Sequence, residues 1–204
     1  MISKLIADLT LSGRVERDVP AFLEYHRCPK TAEHVAEVAA EAKRVAMRVD
    51  ADASKAETAG WLHDVSAIFP GDQRVKAARQ FGVAILPEEE KHPPIVHQKL
   101  SVVLAREVFN IDDPETLSAI GCHTTLKRDA SLLDKVVFVA DKITWDQEGS
   151  PPYLNDILLG LEKSLDHAAL VYLRYIWDQR DTLKVLHPWT REAYLQLSAQ
   201  LEGD

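Results

Sequence analysis

Cysteine, glycine, basic charge and long apolar runs are all scarce in this chain, and each shortage excludes something. Only Cys28 and Cys122 occur among 204 residues, and neither belongs to a C-x-x-C pair. A chain of this length buries a sizeable core without disulfides, so both are expected to be reduced thiols. No alternating apolar–polar run meets a glycine-containing turn, which removes the usual signature of a β-hairpin. No uninterrupted apolar stretch approaches the roughly 20 residues of a membrane-spanning helix. Charged residues follow Met1–Asp8 where a signal peptide would carry its cleavage region, so the expected location is the cytoplasm, with no membrane partner. Lys and Arg number 24 against 32 Asp and Glu, a net charge of −8. That balance argues against a broad footprint for nucleic acid, while leaving room for a local basic pocket that meets phosphate.

What the chain has in quantity is helical periodicity. Val35, Val38, Ala39, Ala42, Val45, Ala46 and Val49 recur at helical spacing, with Thr31 as the expected N-cap and Glu33 and Glu37 near the positive end. A second apolar helix is predicted over about 53–66, stopped by Pro70-Gly71. Pro93-Pro94 opens a helix carrying His97, and Asp113-Pro114 is a cap and first-turn proline for the helix that leads to His123. The run Leu132–Ala140 could pass for a strand, but its length and charged flanks favour a buried helix. Pro151-Pro152 is expected to start one long helix reaching about Arg180, and a last helix follows His187-Pro188. The first thirty or so residues are read as one or two short helices packed on the rest. The fold class is therefore all-α.

Within that helical pattern stand His34, the doublet His63-Asp64, His97, His123 and Asp141. Imidazoles and carboxylates in this mixture suit a hydrolytic metal site. Neighbours on a regular helix point about 100° apart, so His63 and Asp64 can meet one metal only at a helix end or bend. Asp141 follows an apolar run, and a buried carboxylate needs a partner that a cation can provide. Cys122 precedes His123 but is not needed as a ligand, since the nitrogen and oxygen set is complete without it. His26, His92, His167 and His187 are read as surface or hydrogen-bonded core residues, and Trp61 and Trp145 as core or rim aromatics.

The pieces Ala32-Glu33-His34-Val35, Gly60–Val65, Val96-His97-Gln98-Lys99, Cys122-His123-Thr124-Thr125 and Val137–Ile143 follow one another in an order that resembles the HD-domain phosphohydrolases. More narrowly, the chain is similar to the bacterial symmetrical bis(5'-nucleosyl)-tetraphosphatases. The resemblance implies an HD-domain helical bundle over residues 29–148, preceded by a helical segment 1–28 and followed by a C-terminal helical extension 149–204. It implies two divalent metal ions, iron first and Mn, Co, Zn or Mg otherwise. His34, His63, Asp64 and Asp141 would hold one, and His97 and His123 the other, with Asp64 bridging. Catalysis would rest on His63 and Asp64 through a metal-activated water that attacks a phosphoanhydride, such as diadenosine tetraphosphate split into two ADP. Lys99, Lys142, Lys127 and Arg128 are the candidates to meet the phosphates of a nucleotide substrate, and a homodimer is compatible with the helical faces after about residue 150.

The chain also departs from the family pattern. Ala67 stands where a Lys is usual, Leu126, Lys127 and Arg128 replace a usual Gly and Arg, and Thr144-Trp145-Asp146-Gln147 replaces a Glu with a nearby Arg. These changes keep two alternatives open: an HD nucleotidase acting on a nucleoside monophosphate or a deoxynucleoside triphosphate, and a regulatory HD module that binds nucleotide without turnover.

Overall fold

The computed structural model describes residues 2–145 and 149–202, and among them there is no strand. Two short segments come first, α1 (Ile2–Leu5) and α2 (Val15–Tyr25). The core is built on α3 (Pro29–Arg48) and α4 (Ala53–Leu62), followed by α5 (Arg74–Gln80), α6 (Pro87–Lys91), α7 (His97–Glu107), α8 (Pro114–Cys122) and α9 (Leu132–Ile143). The chain ends with α10 (Leu154–Lys163), α11 (Leu165–Asp178) and α12 (Pro188–Glu202). None of these described helices is long and apolar enough to cross a membrane.

The central packing follows from small residues. Val35, Val38, Ala39, Ala42, Val45 and Ala46 form the buried stripe of α3. Against it lies Gly60 of α4, where an added Cβ would stand 2.5 Å from the Cα of Ala39. The two backbones touch there, and only glycine permits that approach. One turn beyond Gly60 the chain reaches His63, so the contact fixes how deeply the doublet sits. α8 and α9 begin on side-chain caps: Asp113 accepts from the Thr116 amide, and Ser131 and Asp134 form a reciprocal capping box.

Three expectations are corrected. α4 ends at Leu62 rather than reaching 66, because the chain leaves helical geometry at Asp64 (φ −112°, ψ 16°). α3 begins at Pro29, with Cys28 at the N-cap, so Thr31 lies inside the first turn and caps nothing. A proline at the first position has its φ preset and no amide to satisfy, which displaces the start three residues upstream. The long helix expected from Pro151 to about Arg180 is two helices. Ser164 is extended (φ −167°, ψ 165°), and its side chain accepts from the His167 amide to start α11 afresh. The halves fold back on each other where a Cβ on Gly160 would come within 3.0 Å of Ala168 Cα. The apolar period runs through the break, which is why periodicity alone reads as continuous.

Candidate metal centre

The six residues singled out in the sequence come from five helices, most of them at helix ends. His34 lies in the second turn of α3, His63 is the C-terminal cap of α4, and Asp64 leaves helical geometry at φ −112°, ψ 16° before a 3-10 turn at Val65–Ile68. That exit from the helix lets two adjacent side chains converge. His97 opens α7, His123 ends α8, and Asp141 lies near the end of α9. His34, His63 and His123 are buried.

The side chains form two linked groups. In one, Asp141 Oδ1 lies 3.3 Å from His34 Nε2 and 3.5 Å from His63 Nε2, and those two nitrogens are 3.3 Å apart. In the other, Asp64 Oδ1 lies 3.3 Å from His97 Nε2 and 3.5 Å from His123 Nε2, with the two nitrogens 2.9 Å apart. Asp64 Oδ2 is 3.9 Å from His63 Nε2, so one carboxylate spans both groups.

The donor set fits a cation. The Nδ1–H of His63 donates to Gly60 O at 2.7 Å, that of His97 to Pro94 O at 2.6 Å, and that of His123 to Ile120 O at 2.8 Å. A carbonyl only accepts, so each ring carries its proton on Nδ1 and turns an Nε2 lone pair inward. Lone pairs that face each other across 2.9 Å repel unless a positive charge lies between them. Burial pushes His97 down to about 4 and lowers His123 as well, so both rings are neutral near pH 7. Burial also opposes the charges on Asp64 and Asp141. Lys142 nonetheless holds Asp141 far below the carboxylate range, and Asp64 lies below it as well. On His63, Asp64 and Asp141 outweigh burial and raise the pKa. His34 has a buried Nδ1 without a hydrogen-bond partner among the described residues.

The four candidate phosphate cations lie in different surroundings. Lys142 is buried, with Nζ 2.5 Å from Asp141 Oδ2 and 3.3 Å from the His123 carbonyl, a strut between the two groups. Lys99 Nζ is held by Glu89 Oε2 at 2.8 Å and Ala84 O at 3.0 Å. Lys127 Nζ is held by Ser118 Oγ at 2.5 Å and Asp134 Oδ2 at 3.1 Å. Arg128 is exposed and lies 3.7 Å from the Asp129 carboxylate. The departures at Asp146 and Gln147 lie outside the described residues. His26 and His187 are hydrogen-bonded, to Leu5 O at 2.9 Å and Glu89 Oε1 at 3.3 Å.

Sequence reasoning gave no role to Gln98, Thr124, Thr125 or Arg74. Thr124 Oγ1 lies 2.9 Å from His97 Nε2. Buried Gln98 accepts from the Thr124 amide at 3.2 Å and donates to Thr125 Oγ1 at 3.1 Å, while Thr190 Oγ1 of α12 donates to Thr125 O at 2.9 Å. The C-terminal helix is thereby fastened to the turn that carries His123. Gln98 and Thr124 each follow a histidine, a signal that was present in the sequence; Thr190, 65 positions from Thr125, had none.

A family model described as HD domain matches residues 31–146. The chain belongs to the HD-domain family. This HD-domain hydrolase is 48% identical over 148 residues to an uncharacterized protein in the pepC 5' region of Lactococcus lactis subsp. cremoris, covering 72% of this chain and 75% of that one. It is 31% identical over 116 residues to the symmetrical bis(5'-nucleosyl)-tetraphosphatase of Staphylococcus aureus, covering 56% of this chain and 58% of that enzyme. Among solved structures it resembles a predicted HD superfamily hydrolase involved in NAD metabolism from Clostridium acetobutylicum, with a TM-score of 0.81 at 27% identity, covering 89% of this chain and 96% of that one.

Proposed function

We propose that this HD-domain hydrolase is a two-cation phosphohydrolase that cleaves a nucleotide phosphoanhydride, with diadenosine tetraphosphate split into two ADP as its reaction. The observation that carries the reading is Asp64, whose two oxygens face different histidine groups, Oδ1 toward His97 and His123 and Oδ2 toward His63. One carboxylate shared by two clusters of inward lone pairs suits a pair of cations better than one. His34, His63, Asp64 and Asp141 would hold the first, and Asp64, His97 and His123 the second. Iron is the metal proposed, and Mn, Co or Zn would suit the same imidazole and carboxylate donors. When bound, such cations polarise phosphoryl oxygens and lower the pKa of water.

The chain's own residues do the positioning. The three carbonyls on Nδ1 keep His63, His97 and His123 in the tautomer that presents Nε2, and Lys142 holds Asp141 against the His123 turn. In the overall reaction the oxygen of water joins phosphorus, the bridging P–O bond breaks with its electron pair going to the departing ADP, and a proton is released. Tetraphosphatase names among the relatives support the choice of substrate.

Metal analysis of the purified protein with a nucleotide panel tests the reading. The expected result is about two metals per chain and ADP as sole product from diadenosine tetraphosphate. Free phosphate from monophosphates, or tripolyphosphate from deoxynucleoside triphosphates, would move the substrate to the nucleotidase reading. Tight nucleotide binding with no product under any metal would replace the enzyme with a regulatory module.

A further inference from the structure

We propose that Arg74 is a phosphate-binding residue of this centre, taking an anionic phosphoryl oxygen of the substrate; the inference rests on the phosphohydrolase reading above. Arg74 opens α5, where its Nε donates to Phe69 O at 3.2 Å and its Nη1 to Pro94 O at 2.9 Å. Pro94 O is also the acceptor for His97 Nδ1, at 2.6 Å. A single carbonyl therefore fixes both a ring of the candidate metal centre and the guanidinium beside it. The charges of Asp64 and Arg74 act on each other, and Arg74 acts on His97. The cation thus stands at the His97 half of the centre.

What sets Arg74 apart is its lack of a counterion. Lys99, Lys127, Arg128 and Lys142 each have a carboxylate within 4.0 Å, whereas Arg74 has none among the described residues. Its Nη2 makes no hydrogen bond to them either, and the side chain is half-buried. Burial pushes its pKa below the usual arginine range, with the Asp64 charge opposing that shift. A partly desolvated guanidinium without a carboxylate is costly unless an anion arrives to offset it. Two divalent cations would add to that need, since Asp64 and Asp141 cannot neutralise them together with Lys142 and Arg74. The remaining donors of a planar guanidinium match the edge of a phosphate. Ala67 leaves the stretch after the doublet without a cation, and Arg74 brings one back to it through Phe69 O.

The competing account is a structural staple, with Arg74 doing no more than joining the Phe69 and Pro94 carbonyls. Metal-loaded wild type, Arg74→Met and Arg74→Lys separate the two. Metal content, thermal midpoint and ADP affinity by calorimetry are measured on each. Loss of one charge-assisted pair should weaken ADP binding by about 10- to 100-fold in Arg74→Met with metal content unchanged, and by less in Arg74→Lys. A lowered thermal midpoint with wild-type ADP affinity overturns the proposal. Should Arg74→Met fail to fold, Arg74→Lys decides: it keeps the charge but loses the fork, so reduced ADP affinity at full metal content supports the proposal and unchanged affinity overturns it. Wild type that binds ADP through Arg74 but hydrolyses no nucleotide would sink the phosphohydrolase reading alone. Turnover and ADP affinity indifferent to Arg74 would sink this one alone.

Discussion

Two buried polar clusters share residue types and differ in completeness. In the first, Glu89 accepts from Lys99 at 2.8 Å and from the Leu86 amide at 2.8 Å, and lies 3.3 Å from His187, whose Nδ1 in turn accepts from the Trp189 amide at 3.2 Å. Every donor there meets an acceptor of the protein, and the result ties α6, α7 and α12 together. In the second, around Asp64 and Asp141, imidazole lone pairs face one another; the Thr124 hydroxyl reaches His97 Nε2 at 2.9 Å, and no donor among the described residues satisfies both rings of a facing pair. A satisfied cluster holds a fold together; a cluster of matched acceptors is prepared for a cation from outside. Charge and burial alone do not separate the two, and hydrogen-bond direction does.

The sharpest break between them is Asp64→Ala. It removes the carboxylate common to both histidine groups, so metal content should fall and hydrolysis should drop on the order of 1000-fold, while the metal-free protein keeps its helical circular dichroism. Full turnover by this variant would end the shared-carboxylate account. Glu89→Ala should do the reverse. It strands His187 without its acceptor, leaves Lys99 with the Ala84 carbonyl and no counterion, and should cost about 3–5 kcal/mol in denaturant unfolding, with metal content per folded molecule retained. If Asp64→Ala destabilised the metal-free protein more than Glu89→Ala, the distinction between the clusters would be lost.

Gly60→Ala tests how the packing sets the centre. The new methyl would meet the Ala39 backbone at 2.5 Å, so α4 must shift away from α3. Overpacking of this kind costs about 1–3 kcal/mol. The shift would carry His63 and weaken metal binding, measured by competition with a chelator. Destabilisation with wild-type metal affinity would show that the doublet is placed by the turn at Asp64 rather than by the contact at Gly60.

How much of this was legible beforehand follows from the range of each interaction. The caps at Asp113 and Ser131 lie within three residues of the amides they serve, and α8 and α9 could be read from sequence. The requirement that His63-Asp64 sit at a helix end came from geometry alone, although α4 stops at Leu62, well before the Pro70-Gly71 pair expected to stop it. Ser164 was hidden because the apolar face of α10 continues in phase into α11. Arg74 was hidden for a different reason. Its partners are the Phe69 and Pro94 carbonyls, and a backbone oxygen leaves no mark on residue identity. The same holds for Thr190 and the carbonyl of Thr125. Side-chain pairs leave compositional traces, while side-chain contacts to distant backbone do not.

The smallest expected effect is a pH dependence, and it falls on the satisfied cluster. Burial alone would raise the Glu89 carboxyl, but His187, the Leu86 amide and Lys99 together hold it below the ordinary value of 4.5. The folded state therefore binds a proton at Glu89 less readily than the unfolded chain does. Its contribution to stability is full above pH 4.5 and is lost as the pH falls through the lower folded value. Glu89→Gln cannot ionise, so the stability difference between wild type and Glu89→Gln should shrink as the pH is lowered from 6 toward about 3. Urea unfolding of both proteins across that range measures it. A difference that stays constant would mean that Glu89 stabilises through shape and hydrogen bonding alone, and that its charge, unlike that of Asp64, is incidental to its role.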